Sequence, residues 1–455
     1  MLHTGLAALY NFEYSESLEA FDHAAAADPH CAMAEWGAAM TNWHELWNSS
    51  GQDDLNAGWK HVQAAQAREQ FATPREKAYI AAVAAYFAPG LPPDEGDSGK
   101  RSAAYLAKMR ELHASYPEDA NATVFLALAI LADNDRGTRE ERVARAREAG
   151  ALLQPVFDAD PAATGEARAG SAHYLIHAYD RPELAAQGLV AARAYAKIAP
   201  DSPHALHMPA HIFAQLGLWD EDVASNIASY NAARSQQGHA MEKVHEELHA
   251  LDFLQYAYLE LGDWTKAAET TATAVDIARE HGEGDMNYTL LWLPMREVIE
   301  HEDWQNWKSV PVAKGSDDGY WKAVTAWFDV MAAAHLHDAA RADAALKTLR
   351  SLDANIRQNP KFGDGPALAV LLPEAEGWDA VAHGDYKTAI AKMKDAATEE
   401  AKPGSYGGFR KPAEEMLGDV YLAAGDKAAA HGAYEQSLRT RPNRRLSLLG
   451  LKATA

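Results

Sequence analysis

Toward the C-terminus the apolar, small and polar positions fall into a fixed order: Leu417-Gly418 and Tyr421, then Gly425-Asp426, then Ala430, Tyr434, Ser437 and Pro442. Apolar positions at helical spacing on both sides of a Gly-Asp pair predict two helices joined by a tight turn, the second stopped by Pro442. Small residues at Gly418 and Ala430 let those helices cross closely. The order returns at Gly384-Asp385-Tyr386 with Ala389 and Met393, at Gly262-Asp263-Trp264 with Ala267, and at Leu216-Gly217-Leu218-Trp219. A degenerate copy opens the chain at Tyr14, Phe21, Ala24 and Pro29. One such pair cannot cover its own apolar face, so neighbouring pairs must stack to form a core.

This spacing resembles the tetratricopeptide repeat (TPR). The resemblance implies an all-α fold, a TPR-like α-solenoid in which helix-turn-helix repeats build a right-handed superhelix. Abundant Ala and clustered Pro and Gly agree with an all-helical chain. Pro/Gly-rich stretches at 88–99, 311–319, 359–366 and 402–412 predict loops between pairs. Segments 133–166 and 280–310 keep helical composition but lose the repeat landmarks, which predicts helices of irregular length. The organisation expected is an N-terminal and central array over 1–310 and C-terminal repeats over 311–455, with a division near residue 315 as the variant.

Charge and cysteine content then narrow the chemistry. With 42 Lys+Arg against 65 Asp+Glu the formal charge is −23 at pH 7, so a phosphate backbone is repelled and nucleic acid is not an expected partner. The single cysteine, Cys31, excludes an intramolecular disulfide framework and any Cys-rich zinc or iron–sulfur site. A metal would have to be held by His and carboxylates. No window approaches the roughly 18 consecutive apolar residues of a membrane helix, so a soluble chain without membrane insertion is expected.

Twenty histidines in a chain of this length should give about one i,i+4 pair by chance. Three occur: His173/His177, His207/His211 and His245/His249. Residues four apart share a helix face, so each pair can present two imidazoles to one point. Both His173 to His207 and His177 to His211 are separated by 34 residues, the repeat period, so the two pairs hold equivalent places in consecutive repeats. The TPR resemblance implies that His204, His207 and His211 line the concave groove, followed in the next repeat by His249, Asp252 and Tyr256. Repeat duplication alone can copy a packing histidine, but clustered neutral imidazoles gain little from burial unless something coordinates them. The metal ligands expected are therefore His173, His177, His207, His211 and His249, with His204, His245, His44 and Tyr256 as secondary candidates. Asp252 and Asp180 are the candidates for orienting an imidazole or carrying a proton.

His245-Glu246-Glu247-Leu248-His249 also matches H-E-x-x-H, the zinc-peptidase pattern in which two His bind the metal and the Glu is a general base. Its phase argues against that role, because His245 falls in an insertion over 231–246, ahead of the groove positions. His44 lies between Trp43 and Trp47, where it either closes one end of the site or packs. Trp219, Trp264 and Trp304 sit at turn positions and read as packing. No phosphate loop, dinucleotide fingerprint or G-x-S-x-G is present.

Longer motifs carry a narrower resemblance: His173-Tyr174-Leu175-Ile176-His177-Ala178-Tyr179-Asp180, Pro203-His204-Ala205-Leu206-His207-Met208-Pro209-Ala210-His211-Ile212-Phe213, and Leu248-His249-Ala250-Leu251-Asp252-Phe253-Leu254. With Cys31 to Gly37 and the Trp43-His44 element, they resemble an uncharacterised bacterial TPR family over nearly the whole chain. Glu45 and Phe253 depart from that pattern, which tends to Pro and Tyr there, and neither touches the expected ligands. Members often begin with an export signal that this chain lacks, and the resemblance slightly favours a periplasmic setting over a cytoplasmic one.

The function expected from these observations is binding of a divalent transition metal (Zn, Cu, Ni or Fe) by the groove histidines, with metal-dependent chemistry on a small molecule as its extension. The alternative is a non-enzymatic TPR scaffold holding a peptide or partner protein in the groove, where the acidic charge favours a basic ligand. A zinc peptidase built on His245 and His249 is the second alternative.

Overall fold

The computed structural model describes residues 1–44, 46, 50–91, 99–132, 137–236, 240–281, 288–307, 312, 318–357, 366–402 and 409–455. Among the described residues every regular element is helical. The helices follow one another as pairs, including Pro74–Phe87 with Lys100–Ser115, Ala167–Tyr179 with Ala185–Ile198, Pro366–Ala382 with Tyr386–Glu400, and Ala413–Ala423 with Lys427–Thr440. This is an all-α array of TPR-like helix pairs. None of the described helices is long and apolar enough to cross a membrane.

Local sequence explains where helices start and turn. Thr73 and Glu76 form a reciprocal capping box ahead of Pro74, and Thr138 and Glu141 do the same for Arg139–Asp158, which satisfies amide groups left open at each first turn. In the closing repeat Gly425 takes φ 82°, the left-handed conformation that ends a helix without a Cβ clash. The three equivalent turn glycines, Gly217, Gly262 and Gly384, share that sign. A Cβ at Gly418 would sit 2.6 Å from the Tyr434 ring, so the close crossing expected from small residues is present.

Segment 133–166 holds the long Arg139–Asp158 helix and a short turn at Pro161–Thr164; segment 280–310 holds a π-helical turn at Tyr288–Trp292 leading into Leu293–His301. Most of the stretches expected as loops, and the boundary at 310/311, lie outside the described residues. The chain divides into two compact units, Met1–Ile212 with Ser235–His239, and Phe213–Arg234 with Ala240–Ala455.

The first unit is organised around Tyr10. Its ring stacks on Phe125 at 5.1 Å, its hydroxyl donates to Asn121 Oδ1 at 2.6 Å, and its edge lies where a Cβ on Gly170 would be, 2.3 Å away. Gly170 thus lets the end of the Leu2–Tyr10 helix press against Ala167–Tyr179, one turn before His173. The second unit is built on a tryptophan-rich core containing Trp292, Trp304, Trp327 and Trp378. Its C-terminal segment folds back on its beginning: Trp219 Nε1 donates to the Asn443 carbonyl at 3.2 Å, and Asn443 Nδ2 donates to the Gly217 carbonyl at 3.2 Å.

Candidate metal centre

Three histidines of the first unit converge. His173 and His177 stand one turn apart on Ala167–Tyr179, and His204 comes from the short Pro203–His207 helix. His177 Nε2 lies 3.0 Å from His173 Nε2, and His204 Nε2 lies 3.0 Å from the same atom. His173 and His204 are buried and His177 is half-buried. The sequence spacing alone had put His204 in a secondary role; here it supplies the third nitrogen.

Protonation follows from the partners. His173 Nδ1 is 2.6 Å from the Tyr10 carbonyl, which only accepts, so Nδ1 carries the proton and Nε2 presents its lone pair to the other two rings. Burial, reinforced by the neighbouring imidazoles, drives the His173 pKa well below its ordinary value and lowers that of His177 to about 3. His173 and His177 are therefore neutral at physiological pH. Neutral nitrogens separated by 3.0 Å can share an ion at bonds of ~2.0–2.1 Å.

The chain just after Tyr10 completes this surrounding, and no sequence motif had pointed to it. Phe12 lies over all three imidazoles, with ring centroids 4.5 Å from His173, 5.8 Å from His177 and 5.6 Å from His204. Tyr195 stacks on the other side of His173 at 5.2 Å and donates its hydroxyl to Asn11 Oδ1 at 2.8 Å. Phe12 holds φ 59°, a conformation costing a residue with a Cβ about 1–2 kcal/mol. The amides of Phe12 and Glu13 bond back to the Leu9 and Ala8 carbonyls, so residue 12 occupies the helix-terminating place usually given to glycine. The only sequence sign of this was an aromatic residue following Asn11 at a helix end.

Phe12→Gly is accordingly expected to be more stable than Phe12→Ala by about 1 kcal/mol, because both lose the ring but only glycine escapes the backbone strain. Urea unfolding of the two metal-free variants measures the difference; alanine proving the more stable would contradict the left-handed assignment.

His207 and His211 form a separate pair. Their Nε2 atoms are 3.1 Å apart, and His211 Nδ1 lies 2.8 Å from Asp180 Oδ2. The helix expected to run through these residues is interrupted at Met208, where Pro209 begins Pro209–Leu216, because proline lacks an amide hydrogen and crowds the preceding turn. Asp180, expected to orient an imidazole, occupies that position on His211.

His249 and His245 belong to the second unit, where their rings stack at 5.8 Å, nearly parallel, and His249 packs edge-on to Phe253 at 5.4 Å. Asp252, expected to orient an imidazole or carry a proton, has both oxygens engaged: Arg296 Nη2 donates to Oδ1 at 2.7 Å and the Tyr288 hydroxyl to Oδ2 at 2.9 Å. Tyr256 is buried in the second unit, stacked on Phe409 at 4.2 Å. His44 Nε2 donates to the Thr41 carbonyl at 2.6 Å and its ring packs on Tyr14 at 4.3 Å. Glu45 and Trp47 lie outside the described residues. No group of three metal-capable side chains among the described residues includes His245.

No protein-family model and no curated protein matches the chain. Solved structures align over most of its length. The TPR domain of P58(IPK) is 12% identical over 99% of this chain and 95% of that one, with a TM-score of 0.23. The human IFIT1 dimer with m7Gppp-AAAA is 12% identical over 90% of each chain, with a TM-score of 0.35. Yeast Tom70 is 10% identical over 98% of this chain and 86% of that one, with a TM-score of 0.33.

Proposed function

We propose that this protein binds a divalent transition metal through His173, His177 and His204. The observation that carries the reading is the convergence of three imidazole nitrogens on one point, with the His173 tautomer committed by the Tyr10 carbonyl so that its lone pair faces the other two rings. A backbone acceptor on the far nitrogen is the ordinary way a ligating histidine is oriented. An all-imidazole donor set suits Zn, Cu, Ni or Fe and disfavours Mg and Ca, which take oxygen ligands. Three protein ligands leave a coordination position for water or a small molecule, the arrangement in which a metal acts as a Lewis acid. Metal-dependent chemistry on a small molecule is the functional class that follows.

Elemental analysis of the purified protein, before and after dialysis against Zn, Cu, Ni and Fe salts, tests this. Bound metal is expected in the wild type, with loss of at least one equivalent in both His177→Ala and His204→Ala at unchanged helix content. Wild-type protein that takes up none of the four metals would sink the proposal and leave a buried polar cluster in a helical scaffold.

A further inference from the structure

Resting on the reading above, the geometry points to a second metal position in the first unit, held by His207 and His211 and tuned by Asp180. The ligand nitrogens of His173, His177 and His204 lie within 4.8 Å of one another, and His207 and His211 are not members of that group. Two ligands of one ion can be no further apart than twice the metal–nitrogen bond, about 4.2 Å. A single ion at the triad therefore does not account for the other pair, which keeps its own short contact of 3.1 Å between Nε2 atoms.

The pair also carries its own orienting partner. A carboxylate oxygen 2.8 Å from His211 Nδ1 takes the hydrogen bond from that nitrogen, so the His211 lone pair lies on Nε2, toward His207. This is the carboxylate–histidine arrangement that raises the basicity of a metal ligand. It differs from the triad, where the partner of His173 is a neutral carbonyl.

The difference has an electrostatic purpose. A dication at the triad raises the potential around it, and a second dication nearby needs a negative charge to offset the repulsion. Asp180 follows directly on the helix that carries His177 and lies 2.8 Å from His211 Nδ1, so one carboxylate adjoins both groups. The ligand class is the same as for the triad, a divalent transition metal, and the two positions bind it with different affinity because their orienting partners differ in charge.

Zinc titration by calorimetry, with elemental analysis of the loaded protein, tests the second position independently of the first. Wild type is expected to bind two equivalents, His177→Ala and His211→Ala one each. Asp180→Asn, which keeps the shape of the side chain, should bind two with the weaker step reduced a further 10–100-fold and the other step unchanged. One equivalent in wild type that survives His211→Ala and is lost in His177→Ala would overturn the second position while leaving the triad intact. One equivalent lost in either variant would mean a single shared ion and would overturn it equally. No uptake at all would remove the metal reading itself, and with it this inference.

Discussion

Arg444→Met is expected to lower the stability of the second unit by about 3–5 kcal/mol, the usual consequence of leaving buried charges without their partner. The Arg444 guanidinium is buried among three carboxylates: Nη1 and Nη2 donate to Glu300 Oε2 and Oε1 at 2.6 Å each, Nη2 donates to Glu415 Oε1 at 3.0 Å, and Nη1 also reaches Glu260. Those acids come from three different helices, Ala240–Leu261, Leu293–His301 and Ala413–Ala423. One cation thus ties the returning C-terminal segment to elements far apart in sequence. Methionine matches the length of the side chain but leaves Glu260, Glu300 and Glu415 facing one another without their guanidinium. Urea unfolding followed by tryptophan fluorescence reads the effect, since Trp292, Trp304 and Trp327 report on this unit. The loss should be smaller at pH 4.5, where the acids can accept protons; a loss below about 1 kcal/mol at pH 7 would show that the cluster is not the anchor.

The second large effect is a fall in the second unit's stability, relative to Glu374→Gln, as pH rises from about 4.5 to 7. Burial raises the Glu374 carboxyl to about 7 even though Arg410 beside it pulls the other way. The unfolded chain gives up this proton near 4.5, whereas the folded unit still holds it, so the contribution is full below the unfolded value and is lost as pH climbs through the folded one. A displacement of this size corresponds to about 3 kcal/mol. His335, which burial lowers to about 3, tilts the whole profile the other way in both proteins, because the unfolded chain charges it below about 6.5. Urea unfolding at half-unit steps therefore reads the difference between the two proteins, with wild type losing ground to the variant across this window. A difference that moves in favour of wild type as pH rises would contradict the protonated state of Glu374.

The neighbourhood of Asp252 shows what sequence spacing does not carry. Its distance of three positions from His249 puts the two on one helix face. Arg296, which pairs with Asp252 at 2.7 Å, lies 44 positions further along, on a helix whose repeat landmarks are missing. Nothing local distinguishes a carboxylate waiting for a metal from one already satisfied by a distant guanidinium. His204 is the opposite case: its spacing within its own helix was unremarkable, and it joins the triad by meeting His173 across 31 positions, from the short Pro203–His207 helix.

What the sequence by itself determined was everything periodic. The helix pairs, their turn glycines at 217, 262, 384 and 425, the small-to-large contact of Gly418 with Tyr434, and the i,i+4 placement of His173 with His177 and His207 with His211 all follow from interactions within one repeat. Local geometry and apolar patterning suffice there. Tertiary structure alone decided which imidazoles meet, which nitrogen of each carries the proton, and which charges are spent on one another. Tyr10 and Phe12 reach the triad from more than 160 positions away, and Arg444 reaches Glu260 across 184. Such contacts have no period, because they depend on where stacking brings distant chain ends together, and a hydrogen-bond partner or a counter-ion is specified only by its place in space.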